Sequence, residues 1–386
     1  MGTDEVVYTL RSDLRKYARA PKGLCSVDKE DVVVDVAVIG AGPAGLYAAA
    51  LVQQAGHSVR VLEGRDRVGG RLLSVQAPGG RLDLGATWFW SNETRVNNVV
   101  AAASLGAFPQ HLAGDAMFQN DQGIQRMQGN QVDAPSGRLV DGTQSIAEAL
   151  TVRLADGVIH LNTIVESAVA VPNGLAIATV KGSWVARQLI IAVPPATAVA
   201  RINFGGQLSE RVYGLASSTP VWMGNIVKVV AHYDRPFWRE AGLAGSAFSY
   251  TGPMREIHDM SGADGSPAAI FGFAQPGSGV EAPNEAQVVA QLVDLFGPQA
   301  AVPDRLFIQD WRAEPLTSPD NADELTNYQT YGHPIFAEPV LDGRAHWAST
   351  ETATTAPGHI EGAFQAAERA AHAALAGLAA RADGIV

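Results

Sequence analysis

The 386-residue chain carries 28 Lys and Arg against 39 Asp and Glu, a net charge of -11, with 47% hydrophobic and 17% charged residues. That composition is globular with a sizeable core, the length suits two domains, and the acidic balance opposes nucleic-acid or anionic-membrane partners. One cysteine, Cys25, excludes an internal disulfide and points to a reducing, cytoplasmic compartment, no apolar run reaches the roughly 18 residues of a membrane span, and no signal peptide is visible at Met1.

In residues 1–31, Leu10, Leu14 and Tyr17 recur at helical spacing with Arg11, Arg15 and Arg19 on another face. The pattern predicts an amphipathic helix, packed on its own protein or docked on a partner. Val32–Ile39 is almost wholly apolar, as a strand buried on both faces should be. A helix from Pro43 to about Ala55 stops at Gly56, and Ser58–Leu62 is the next strand. Gly79-Gly80 marks a turn, and residues 113–142 are polar with weak periodicity. Residues 158–193 hold short strands separated by turns at Pro172-Asn173-Gly174 and Lys181-Gly182, ending in a strand Gln188–Val193 before Pro194-Pro195. Ile226–Tyr233 reads as a strand, Glu285–Phe296 as an amphipathic helix, 313–323 as loop, and His359 to about Ala380 as a closing helix.

Gly40, Gly42 and Gly45 form GxGxxG between the first strand and the first helix. The first allows a tight turn, the second lets backbone approach a pyrophosphate, and the third lets helix and strand pack closely. The helix starts at Pro43 and Ala44, and its N-terminus, from Ala44 onward, presents free N–H groups and positive dipole to phosphate. Glu63 ends the second strand 23 residues after Gly40, where a carboxylate accepts ribose hydroxyls. It is followed by Gly64 and Arg65, then by a second glycine turn, Gly69-Gly70, and Arg71, which can bridge phosphate oxygens. This continuation favours FAD over a nicotinamide dinucleotide.

The GRDRVGGR continuation resembles the glutathione-reductase-like flavoproteins and, within them, the flavin amine oxidases. The resemblance runs over most of the chain from residue 33. LDLGATWFW (Leu82–Trp90) resembles the segment passing the flavin ring, which implies FAD contacts at Gly85, Ala86, Thr87 and Trp88, with Val165 lining the same cofactor. IIAVPP (Ile190–Pro195) resembles the strand that returns to the flavin domain. NIVKVVAHYDRPFW (Asn225–Trp238) resembles a segment whose lysine holds a water near flavin N5, implying that role for Lys228. Asp310-Trp311 resembles the tryptophan beside the isoalloxazine. STETATTAPGHIEGAFQAAERAAHAAL (Ser349–Leu375) resembles the C-terminal flavin motif, implying contacts from Thr350, Glu351, Gly358, His359, Ile360 and Ala363.

The implied fold is α/β: a Rossmann-like FAD-binding domain from 33–106, 142–217 and 320–386, with a discontinuous, shortened α+β substrate-binding domain from 107–141 and 218–319. Residues 1–32 form an N-terminal extension. The implied chemistry is oxidation of an amine C–H to an imine, with dioxygen returning the flavin to its oxidised state as hydrogen peroxide. An apolar pocket would favour the neutral amine by desolvation, and Trp88, Phe89, Trp90, Trp311, Tyr328 and Tyr331 are candidates for its walls.

Three features depart from the family. Asn327, in NYQTYGHP, stands where monoamine oxidases form a cysteine thioether, so FAD is expected to be non-covalent. Tyr328 matches the first of two facing tyrosines, but the second position holds His359. The middle of the chain is short. Together these put a simple monoamine substrate in doubt. Same-fold alternatives are an amino-acid or N-acyl amine oxidase, a biosynthetic oxidase whose imine is captured by cyclisation, or a desaturase; Arg255 and Arg312 could serve a substrate carboxylate. A non-catalytic binding protein on this scaffold is opposed by the intact glycine and acid positions with Lys228. No zinc-ligand spacing or GxSxG elbow appears. The expected partners are a small amine and dioxygen, and the composition is compatible with a homo-oligomer.

Overall fold

The structure is a computed structural model describing residues 32–277 and 280–382. The amphipathic pattern within 1–31, and Cys25, lie outside the described residues.

Val32–Ile39 pairs in parallel with Val59–Leu62 on one side and Gly182–Ile191 on the other. Parallel neighbours need a crossover, and the helix Pro43–Gln54 supplies the first. Ile159–His160 extends one edge, and the antiparallel strands Gly174–Thr179 and Val165–Val171 extend the other. Ala345–Trp347 pairs with the last residues of Gly182–Ile191. Side chains alternate between two cores, as a two-sided strand requires. Val36 and Val38 face Pro43–Gln54, Gln144–Val152 and the last helix, Ile360–Ala382. Ala37 and Ile39 face Ala198, Val212, Phe336 and Trp347.

The second sheet runs in the order Arg305–Asp310, Val227–Tyr233, Ala268–Ala274, Met254–Asp259, Leu243–Ser249, Asp115–Asn120, Gly123–Met127. One face carries Val227, Val229 and Ala231 and packs on the helix Glu285–Phe296, which opens with a reciprocal Asn284–Gln287 capping box. The opposite face carries Val230, Phe271 and Phe307 and packs on Trp311 and the hairpin Ser74–Ala77/Gly80–Asp83. Lys228 belongs to that face by register.

Two elements differ from the sequence reading. Residues 113–142 contain the hairpin of Asp115–Asn120 and Gly123–Met127; its outer strand is largely solvent-exposed, so there was no apolar alternation to read. The strand expected at Gln188–Val193 is Gly182–Ile191, beginning earlier through exposed Gly182 and Ser183 and half-buried Trp184 and Val185. Among the described residues no helix is long and apolar enough to cross a membrane.

Candidate active site

A cavity of about 570 Å³ lies between the two sheets, within the roughly 300–1,000 Å³ typical of ligand and cofactor sites. The first-sheet side contributes Gly40, Gly42, Pro43, Ala44, Glu63, Gly64, Arg65 and Val165. The second-sheet side contributes Lys228, Glu256 and Phe273, with Trp311 following its edge strand. Gly70, Arg71, Gly85, Ala86, Thr87, Trp88, Thr350, Gly358, His359, Ile360 and Ala363 line it as well.

The glycines act as their spacing implies. A Cβ on Gly45 would sit 1.9 Å from the Gly40 carbonyl oxygen, so this position sets the helix-to-strand approach. A Cβ on Gly42 would meet no protein atom within 4 Å. That open volume faces a helix start with no side-chain cap, a place where free N–H groups suit a pyrophosphate. Gly42→Val is therefore expected to keep the fold and lose FAD, whereas Gly45→Ala should lower folding stability; thermal unfolding and flavin-fluorescence titration separate the two. The Gly69 N–H donates to the Ala41 carbonyl at 2.8 Å and ties the second turn to the first. Glu63 is buried and accepts from the Ala41 N–H at 2.7 Å and the Arg65 N–H at 2.9 Å.

Arg71 binds both oxygens of Glu351 at 2.6 and 3.2 Å, joining the second glycine turn to the C-terminal motif. Glu351 is itself off the cavity wall and fully buried; burial opposes its charge, but the Arg71 guanidinium holds its carboxyl below the usual range. Thr350 Oγ1 accepts the Gly358 N–H and donates to the His359 carbonyl, both at 2.8 Å, fixing the entry to the last helix. Its positive end can complement negative charge on a bound group.

Lys228 is buried and donates to the Gly85 carbonyl at 2.8 Å and to Thr87 Oγ1. Its ammonium stands 4.3 Å from the Phe271 ring centroid. Burial pushes its pKa from 10.5 down to about 7, with nearby Asp83 opposing and Arg138 adding to the fall. Trp311 is also buried and donates its indole N–H to the Leu84 carbonyl at 3.0 Å.

His359 Nδ1 lies 2.6 Å from Glu93 Oε1, and its ring rests on Trp90 at 4.8 Å. Tyr328 is half-exposed, off the cavity wall, and edge-on to Trp222 and Tyr331 at 6.1 and 5.4 Å. Among the described residues no ring contact joins Tyr328 to His359. Trp222 is seated where a Gly358 Cβ would approach its ring to 2.6 Å. Asn327 caps the short turn beginning at Tyr328, accepting the Gln329 N–H, and offers no thiol for a cofactor bond. Among the expected walls, Trp88, Trp90 and Trp311 line the cavity, while Phe89 turns into the helical core against Gly137. Arg312 is held by both oxygens of Asp310, whereas Arg255 lines the cavity. Sequence reading missed Trp222, Met223, Glu256, Phe273 and Gln275 on the wall. The alternation of Phe271, Phe273 and Gln275 was the available signal. No group of side chains able to hold a metal occurs among the described residues.

The donor set fits FAD: an open pyrophosphate cradle at Gly42, an acid at the ribose position, and a buried lysine across the same cavity. Residues 38–103 match the model for an NAD(P)-binding Rossmann-like domain, and residues 101–375 match that for a flavin containing amine oxidoreductase. A Dictyostelium discoideum protein named "probable flavin-containing monoamine oxidase A" is 25% identical, covering 87% of this chain and 96% of its own. Putrescine oxidase of Kocuria rosea is 23% identical over 87% and 94%. A putrescine oxidase structure superposes with TM-score 0.78 at 21% identity, over 90% of this chain and all of that one. Cyclohexylamine oxidase of Brevibacterium oxydans gives 0.77 at 20%, over 88% and 98%. The family match across the larger part of the chain, on a site built for FAD, makes this protein a member of the flavin-containing amine oxidoreductases.

Proposed function

We propose that this chain oxidises an amine larger than a simple monoamine to an imine, and that dioxygen accepts the electrons and leaves as hydrogen peroxide. The observation that carries this reading is Lys228, buried on the cavity wall across from the dinucleotide cradle. In this reading 33–106, 142–217 and 320–386 hold FAD, and 107–141 with 218–319 face the substrate. FAD, when bound, supplies the two-electron acceptor for the C–H bond beside the nitrogen.

The protein's share is binding, orientation and proton control. Trp88, Trp90, Trp311 and Phe273 give the cavity aromatic walls, which disfavour an ammonium by desolvation. Lys228 Nζ, near the midpoint of its titration at neutral pH, can take up or release a proton there. Glu93 accepts the Trp90 N–H through Oε2 and anchors His359 through Nδ1, leaving Nε2 as the imidazole nitrogen for a substrate. Arg255 on the wall favours a second reading, an amine bearing a carboxylate.

The test is aerobic turnover with amines and amino acids while following oxygen, peroxide and carbonyl product. One peroxide per oxygen consumed, with aldehyde or ketone formed, is the expected result. Turnover only with an artificial electron acceptor would make the enzyme a dehydrogenase.

A further inference from the structure

We propose that His359, oriented by the buried carboxylate of Glu93, is the base that takes a proton from the substrate's ammonium group inside the cavity. This rests on the amine-oxidation reading and adds a catalytic residue to that site. An aliphatic amine has a pKa of about 10 and arrives as ammonium at neutral pH, whereas oxidation beside the nitrogen consumes the neutral amine. A base for that proton needs access to the cavity, a fixed tautomer and a counter-charge for the proton it gains.

His359 has all three. It lines the cavity beside Trp90, with 35% of its side chain accessible. Its Nδ1 lies 2.6 Å from Oε1 of Glu93, whose side chain is buried. An ionised carboxylate only accepts hydrogen bonds, so Glu93 holds the ring hydrogen on Nδ1 and leaves the lone pair on Nε2. Nε2 has no hydrogen-bond partner among the described residues. Glu93 is diverted from an ordinary role. It stands at the N-cap of the helix Thr94–Ala102, yet its side chain does not cap that helix. Glu361, two residues after His359, takes the Arg95 and Val96 N–H groups instead, at 2.9 and 3.0 Å. The two segments bind each other in both directions, and Glu93 is left for the imidazole.

The ring is held in place. Trp90 lies on it at 4.8 Å with the planes 33° apart, and the backbone N–H of Trp90 donates to the other oxygen of Glu93 at 3.0 Å. The His359 carbonyl accepts from Thr350 Oγ1, and its N–H donates to the Ala356 carbonyl at 3.1 Å. In the transfer, an N–H bond of the ammonium breaks, its electron pair stays on nitrogen as the lone pair, and the proton joins Nε2. The imidazolium so formed faces the Glu93 carboxylate and passes the proton to water through its accessible edge. The other charged groups around the site are engaged elsewhere or stand across from it. Glu361 and Glu368 pair with Arg95, Glu351 pairs with Arg71, and Lys228 and Glu256 line the second-sheet wall.

The test is anaerobic flavin reduction from about pH 7.5 to about pH 10 in FAD-loaded wild type, His359→Ala, His359→Phe and Glu93→Gln, with n-butylamine, benzylamine and 1,4-diaminobutane as probes. Near the lower pH both His359 variants should be slower by roughly 10²–10³-fold, and Glu93→Gln by roughly tenfold or more. The deficit should shrink by roughly tenfold or more towards the upper pH, because the amine then arrives neutral. Taking the ratio to wild type cancels the limb set by Lys228, which all four proteins share. Added imidazole should restore roughly tenfold or more to His359→Ala and nothing to His359→Phe, whose ring fills the space. Bound-flavin absorbance and thermal unfolding report folding, and His359→Phe, which keeps the ring's bulk, carries the pH comparison alone if His359→Ala does not fold. A Phe variant as fast as wild type, a deficit that does not change with pH, or a folded Ala variant indifferent to imidazole would each overturn the base and leave His359 a wall residue. A wild-type flavin that no amine reduces overturns the amine reading, and the base with it.

Discussion

Lys228→Met is expected to slow anaerobic flavin reduction by roughly 10²–10³-fold, the scale of a lost proton-transfer group, while FAD stays bound. Retention follows from geometry: Gly40, Gly42 and Glu63 lie on the first-sheet side of the cavity and Lys228 on the second-sheet side. The pH behaviour follows from burial. With a folded pKa of about 7 and an ordinary value of 10.5, the unfolded chain binds the extra proton across that interval. Stability contributed through Lys228 therefore rises from about pH 7 to 10.5 and is lost as pH falls back through this window. The wild type should show that rise in its thermal midpoint and a rate limb near neutrality. The Met variant should flatten both, as stopped-flow absorbance and thermal unfolding across pH will show.

Arg71→Ala should combine loss of FAD with a stability cost of about 3 kcal/mol, the low end for a broken buried pair, because Arg71 is 25% exposed while Glu351 is fully buried. The variant leaves Glu351 without its guanidinium. It also frees Trp222, whose carbonyl accepts from Arg71 and whose N–H donates to Glu351 at 3.1 Å each. Glu351 has its folded pKa depressed below 4.5, so the pair stabilises above that value and the contribution disappears as pH falls through the depressed one. Urea unfolding at pH 7 should show the deficit of Arg71→Ala, and the deficit should shrink towards acid.

The dinucleotide unit was legible because its constraints are local. Val32–Ile39, Gly40, Gly42, Gly45 and Glu63 form one strand–turn–helix–strand segment, and each residue's role follows from backbone geometry. The Glu285–Phe296 helix was legible for the same reason, with its cap and apolar stripe both in sequence. The substrate-facing wall was harder to read. Trp222 gains its place only because Gly358, far along the chain, leaves room for its ring. Glu256 faces the cavity by plain alternation with His258, but nothing in its own strand's sequence says which face meets the site. Family correspondence placed Tyr328 opposite His359, but the Asn327-capped turn leaves Tyr328 half-exposed and Glu93 holds the imidazole against Trp90.

The central claim is that one cavity seats FAD along Gly40–Arg71 and presents an amine to it beside Lys228. Mixing the FAD-loaded protein anaerobically with mono- and diamines, and following the flavin absorbance, tests it directly. Bleaching by at least one amine, slowed in Lys228→Met and returning to yellow on admission of air, is the predicted result. A flavin that stays oxidised with every nitrogen donor would contradict it.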